Sequence, residues 1–191
     1  MSRPILAAFT AILLALIPPA QAATLGGATL PDTYPLPGQT LVLNGIGLRT
    51  LTIFNVRIYV AGLYVTERSH DSDHILKSPG PKVILLQFLH SGSKADVEKQ
   101  FREGERKNCG NGACDPADEK DFEKLVAAAP AVEPGDTSTY IFTPGHVKVL
   151  ANQRVIADFA NADLAYHLLE GFIGPHPPST ELRQQLLGLK P

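Results

Sequence analysis

The segment Val56–Val65 constrains the chain most, because it reads as a β-strand that is apolar on both faces. Its residues are largely β-branched or aromatic, types that fit a pleated surface. Period-two alternation puts Val56, Ile58, Val60, Gly62 and Tyr64 on one face. Arg57, Tyr59, Ala61, Leu63 and Val65 take the other. A strand covered on both sides lies inside its sheet, so this segment is expected to be the centre of the fold. Thr40–Asn44 and Gly45–Ile53 before it have the same composition and complete a hairpin or meander, with Asn55 near the turn. Lys82–His90 adds a further strand behind the break Pro79-Gly80-Pro81. Thr137–Thr143, His146–Leu150 and Val155–Ala157 form a second meander, turned at Pro144-Gly145 and Asn152-Gln153. Ala23–Gly38, rich in Gly, Pro and Thr, suits one short edge strand and a turn.

Helices are expected between and after the meanders. Asp71–Lys77 reads as a short one. Ser93 supplies an N-cap with Asp96 at N3, followed by Val97 and Phe101 on one side of a stretch running to Lys107. Asp115-Pro116 gives an N-cap with proline at N1, followed by Phe122, Leu125 and Val126 as one apolar stripe. Helical patterns cover Asp158–Phe172 and Ser179–Leu189. The fold class is therefore α+β: a largely antiparallel sheet with helices packed on one face.

Met1–Ala22 carries one early charge at Arg3, an apolar run from Ile5 to Ile17, then Pro18-Pro19 and Ala20-Gln21-Ala22. This is the order of a cleavable secretory signal, and the run is too short for a membrane span, which needs ~20 residues. The expected product is a single domain, residues 23–191, exported to the periplasm or the medium. A formal net charge of -2, no tryptophan and no basic cluster argue against nucleic-acid binding. Cys109 and Cys114, the only cysteines, flank a glycine-containing loop and are expected to form a disulfide in an oxidising compartment. Four residues separate them rather than two, and no histidine flanks them in sequence. A redox or metal pair is the weaker reading, so neither metal nor cofactor is expected.

Gly45-Ile46-Gly47-Leu48-Arg49, Ile58–Val65 with its Val-Ala-Gly-Leu-Tyr core, Pro81–Leu89, Phe172-Ile173-Gly174 and Leu186-Leu187-Gly188 together resemble the bacterial chalcone isomerase-like family. The resemblance spans about Leu41–Leu187 and implies an open-faced β-sandwich with a ligand cleft between sheet and helices. The family holds enzymes that cyclise chalcones and non-enzymatic relatives that bind fatty acids. In the enzymes an arginine acts with a threonine and a tyrosine. Arg49 matches that arginine, but Tyr59 stands at the threonine position and Ser91–Phe101 contains no tyrosine. The fatty-acid-binding relatives pair the arginine with a tyrosine on the next strand, which Arg49 and Tyr59 would reproduce.

The resemblance therefore implies a binding protein for a fatty acid or similar amphipathic carboxylate, held by Arg49 and Tyr59. A guanidinium offers a planar fork to a carboxylate, and a phenol adds one donor. Two alternatives remain: an isomerase using Arg49, and an envelope module that binds a protein partner, its cleft vestigial. Alternation makes Tyr64 structural. His70 and His74 with Asp71 and Asp73 offer metal-ligand types, but the aspartates suit a helix cap better. His90-Ser91 lacks the turn that presents a nucleophile. His167, on an apolar helix, is expected to be buried with a backbone partner. Oligomeric state is left open.

Overall fold

The computed structural model describes residues 22–51, 55–110 and 114–190. The leader reading therefore lies outside the described residues, except for Ala22 at its end, as does the end of the Gly45–Ile53 strand.

The described residues begin with a two-stranded hairpin, β1 (Ala22–Leu25) and β2 (Ala28–Pro31). Seven strands then pair antiparallel in chain order: β3 (Thr33–Leu36), β4 (Gln39–Leu51), β5 (Val56–Val65), β6 (Lys82–Phe88), β7 (Thr137–Thr143), β8 (His146–Ala151) and β9 (Arg154–Phe159). Helix α1 (Ser72–Lys77) follows β5, while α2 (Lys94–Asn108) and α3 (Pro116–Ala128) lie between β6 and β7. Helices α4 (Ala162–Ile173) and α5 (Thr180–Leu186) close the fold. This is the expected α+β architecture, with two adjustments. As expected, the two meanders join in one sheet, β6 pairing with β7 across the helical insertion. The leading segment makes three short strands rather than one. The helix expected from Asp158 starts at Ala162, because Asp158 and Phe159 still pair in β9 and Asn161 is the cap, accepting from the Leu164 N–H.

The other helix starts are set by the residues that the sequence offers. Asp71, Ser93, Asp115 and Ser179 each accept a backbone N–H in the first turn. Ser93 and Asp96 form a reciprocal capping box.

Strand β5 is covered on both sides, as its pattern requires. Ala61, Leu63 and Val65 join the main core with Ile84, Leu125, Leu169, Ile173 and Leu186, between sheet and helices. On the opposite face Val60 packs with Ala28 and Leu30 of the hairpin, and Tyr64 packs with Leu41, Leu43 and Val83. Tyr64 is fully buried and donates to the Pro31 carbonyl at 2.9 Å, the structural role expected of it.

One irregularity decides which way the end of β4 faces. Leu43 pairs with Tyr64 and Gly45 with Leu63, so Asn44 is left over as a bulge. Leu41 and Leu43 therefore face away from the helices, while Gly45 and Gly47, also odd-numbered, face α5. Asn44 fixes the switch by donating to the Leu186 carbonyl and accepting from the Ser69 N–H. The two glycines let α5 rest on the strand: a Cβ at Gly45 would stand 2.1 Å from the Gln185 carbonyl oxygen, and one at Gly47 2.8 Å from a Leu182 methyl.

Candidate functional site

After the Asn44 switch, Arg49 lies on the helix-covered face and pairs directly with Tyr59 of β5, which pairs in turn with Phe88 of β6. Side chains opposite one another on adjacent strands stand about 5 Å apart at Cβ, close enough to serve one group together. A second register shift follows Arg49. Among the described residues the Arg49 guanidinium makes one hydrogen bond, from Nη1 to the Thr50 carbonyl at 2.8 Å, and no ion pair with a carboxylate. Tyr59 rests edge-on against Phe88, with ring centroids 5.9 Å apart. Burial pushes its phenol up to about 12, partly offset by the Arg49 charge. The hydroxyl therefore stays protonated, a donor, through the neutral range.

Both side chains line a cleft of about 750 Å³ between the sheet and helices α2, α3 and α4. Its floor includes Leu86, Phe88, Tyr140 and Val149, and its roof Val97, Phe101, Phe122, Leu168 and Phe172. That size falls within the ~300–1,000 Å³ usual for small-molecule sites. Floor and roof are apolar, while charged side chains such as Lys99, Glu103 and Lys107 of α2 and Glu119 of α3 also line the cleft. Helix α2 buries none of its residues fully. Val97 and Phe101 are its apolar side and line the cleft, with Phe101 also resting edge-on against Phe122 of the core at 6.1 Å between centroids.

The family model described as chalcone isomerase-like matches residues 22–188. The chain belongs to the chalcone isomerase-like family. No curated protein matches it by sequence. Among solved structures, a crystal structure of a fatty-acid binding protein from Arabidopsis thaliana is similar, with a TM-score of 0.70 and 18% identity. The match covers 87% of this chain and 96% of that one. At that identity the likeness concerns the fold, which is the open-faced arrangement of sheet and helices expected for this chalcone isomerase-like chain.

Tyr140, on β7, is a cleft residue that sequence reasoning passed over. It packs against Phe172 at 5.6 Å between centroids, and burial together with nearby Tyr59 raises its phenol well above the usual range. Alternation along Thr137–Thr143 assigns Tyr140 to one face of its strand without saying which face meets the helices.

Cys109 and Cys114 are joined in a disulfide and line the same cleft. The expectation of a backbone partner for His167 is corrected. Its Nδ1 lies 3.4 Å from Cys114 Sγ and 3.3 Å from Asp118 Oδ2. The cysteine pair does have a histidine beside it, contributed by a helix 53 residues further along the chain.

Of the other residues singled out in the sequence, His70, Asp71 and His90 have partners within the fold. His70 Nδ1 is 2.6 Å from the Leu187 carbonyl, Asp71 caps α1, and His90 Nδ1 meets the Ser91 carbonyl at 2.8 Å. No described helix is long and apolar enough to cross a membrane.

Proposed function

We propose that this protein binds a fatty acid or a similar amphipathic carboxylate in the cleft, and does so after export from the cytoplasm. The observation that carries the reading is the Arg49 guanidinium: it reaches an apolar cleft beside the Tyr59 hydroxyl with no carboxylate paired to it among the described residues. A half-buried cation facing an apolar cleft without a counter-ion is incompletely solvated, and an incoming carboxylate supplies a partner with charge-assisted hydrogen bonds. The half-covered apolar side of α2 gives the tail its counterpart, at about 0.8 kcal/mol per buried CH₂. Membership of a family with fatty-acid-binding relatives and the likeness to the Arabidopsis protein support the same ligand class. The leader pattern and the Cys109–Cys114 disulfide support an oxidising compartment.

The test is calorimetric titration of the purified, delipidated protein with palmitate and with hexadecanol, which has the same tail and no carboxylate. Arg49→Ala is expected to weaken palmitate about 10- to 100-fold, as charge-assisted hydrogen bonds of ~1.5–3 kcal/mol are lost, and to leave hexadecanol within about threefold. Equal effects on the two ligands, or no palmitate binding by the folded wild type, would refute the reading. Conversion of an added chalcone, followed by absorbance, would favour the isomerase instead.

A further inference from the structure

We propose that Cys109, Cys114, His167 and Asp118 form a redox-gated site for zinc(II), closed while the disulfide is intact and competent once it is reduced. The four residues come from three helices: Cys109 is the C-cap of α2, Cys114 precedes the Asp115 cap of α3, Asp118 is in the first turn of α3, and His167 is in the middle of α4. The two sulfurs and a His167 ring nitrogen lie within 4.8 Å of one another.

Three observations point to a cation rather than to packing. First, Asp118 is 4% exposed and its Oδ2 has no hydrogen-bond partner, although it sits 3.3 Å from His167 Nδ1. A buried, unpartnered carboxylate oxygen is expensive and needs a positive group. Second, one ring nitrogen faces both the sulfur and the carboxylate, at 3.4 and 3.3 Å. A single N–H cannot point at both, and a proton relay places its partners on opposite ring nitrogens. Third, the two spacings to His167 Nδ1, 3.4 Å from Cys114 Sγ and 3.3 Å from Asp118 Oδ2, suit a metal. Bonds of about 2.0–2.3 Å around a tetrahedral zinc put neighbouring donor atoms about 3.3–3.7 Å apart. Two thiolates, one imidazole and one carboxylate form a donor set suited to that borderline-soft ion.

The gate is the disulfide itself. A dithiol donor delivers two electrons and two protons, breaks the S–S bond to give two thiols, and leaves as its own disulfide. Each sulfur is then free to swing about its Cα–Cβ bond, with the two Cα atoms 5.0 Å apart. Zinc displaces the two thiol protons as it takes both sulfurs, so each ion bound releases two protons. The site does not depend on the carboxylate reading of the cleft, since Arg49 and Tyr59 take no part in it.

Cobalt(II) is the probe, because thiolate-bound tetrahedral cobalt has charge-transfer and d–d bands that neither apo protein nor octahedral cobalt shows. The purified protein is titrated with cobalt before and after reduction by a phosphine, which becomes the phosphine oxide with oxygen from water. Expected are one equivalent bound with tetrahedral thiolate bands in the reduced protein only, and displacement by zinc. Affinity should fall about 10- to 100-fold in Asp118→Asn and at least as much in His167→Ala, a scale typical of lost metal-site support. Arg49→Ala should leave it unchanged. Absent bands in the reduced protein, undiminished binding in His167→Ala, or loss of the helical circular dichroism on reduction alone would each overturn the proposal.

Discussion

Helices α5 and α2 belong to the same cover and meet the sheet in opposite ways. Helix α5 buries Leu182, Gln185 and Leu186 and lies in backbone contact with β4 over Gly45 and Gly47. Helix α2 packs against α3 and α4 rather than along a strand, buries none of its residues fully, and leaves the cleft beneath it. The difference traces to residue size on the floor. Glycines draw one helix onto the strand, while Tyr59, Phe88 and Tyr140 hold the cover off elsewhere. Close packing at one end thus fixes the frame that keeps the other end open.

The comparison breaks most sharply at Leu182, which is fully buried. Leu182→Ala is expected to cost about 2–5 kcal/mol in urea unfolding, because the helix cannot collapse further onto the glycines. A loss under 1 kcal/mol would mean that α5 is not the tight end. A smaller effect tests how dry the open end is. Tyr59 holds its proton to about 12 in the folded protein, against 10.0 ordinarily. Above pH 10 the unfolded chain therefore binds fewer protons than the folded one, so stability falls as pH rises from 10 to 12, by at most about 1.4 kcal/mol per unit for this one group. Tyr64 and Tyr140, also raised by burial, add to the same slope, so Tyr59→Phe should reduce it without abolishing it, and an unchanged slope would show the Tyr59 hydroxyl to be solvated. The smallest expected effect is at Phe101. Phe101→Ala should cost the empty protein about 1 kcal/mol, below the ~3–5 of a fully packed phenylalanine, because its half-buried ring rests against Phe122 on one side and borders the cleft on the other. A cost near the packed value would show that the roof closes over an empty cleft.

The individual elements were more legible in sequence than the way they meet. The two apolar faces of Val56–Val65, the caps at Ser93 and Asp115, and the Gly-x-Gly before Leu48-Arg49 all carry local signals, since period, side-chain oxygen and missing Cβ are properties of adjacent residues. The placement of Arg49 was legible only through the family resemblance. Strict alternation from Leu41 and Leu43 would put every odd position away from the helices, and the bulge that reverses this at Asn44 carries no signal apart from an asparagine. Tyr140 was missed because nothing local says which face of a hairpin meets the cover. The grouping of Asp118 and His167 with the cysteines was missed for a similar reason: it exists only after three helices have packed. The leading segment was underread because its prolines and glycines mark turns more strongly than the short strands between them mark pairing.

The lie of α5 has one further consequence, for the outer edge of β4. Strand β3 covers that edge only as far as Val42, and beyond it the Leu48 N–H is taken by Gln185 Oε1 at 2.9 Å. An open strand rim is a template on which a second chain adds its own strand, and natural sheets block such rims with charge, bulges or a covering element. Here the carboxy-terminal helix is the stopper. Intermolecular sheet growth is barred on this side for as long as the last turns of the chain stay seated.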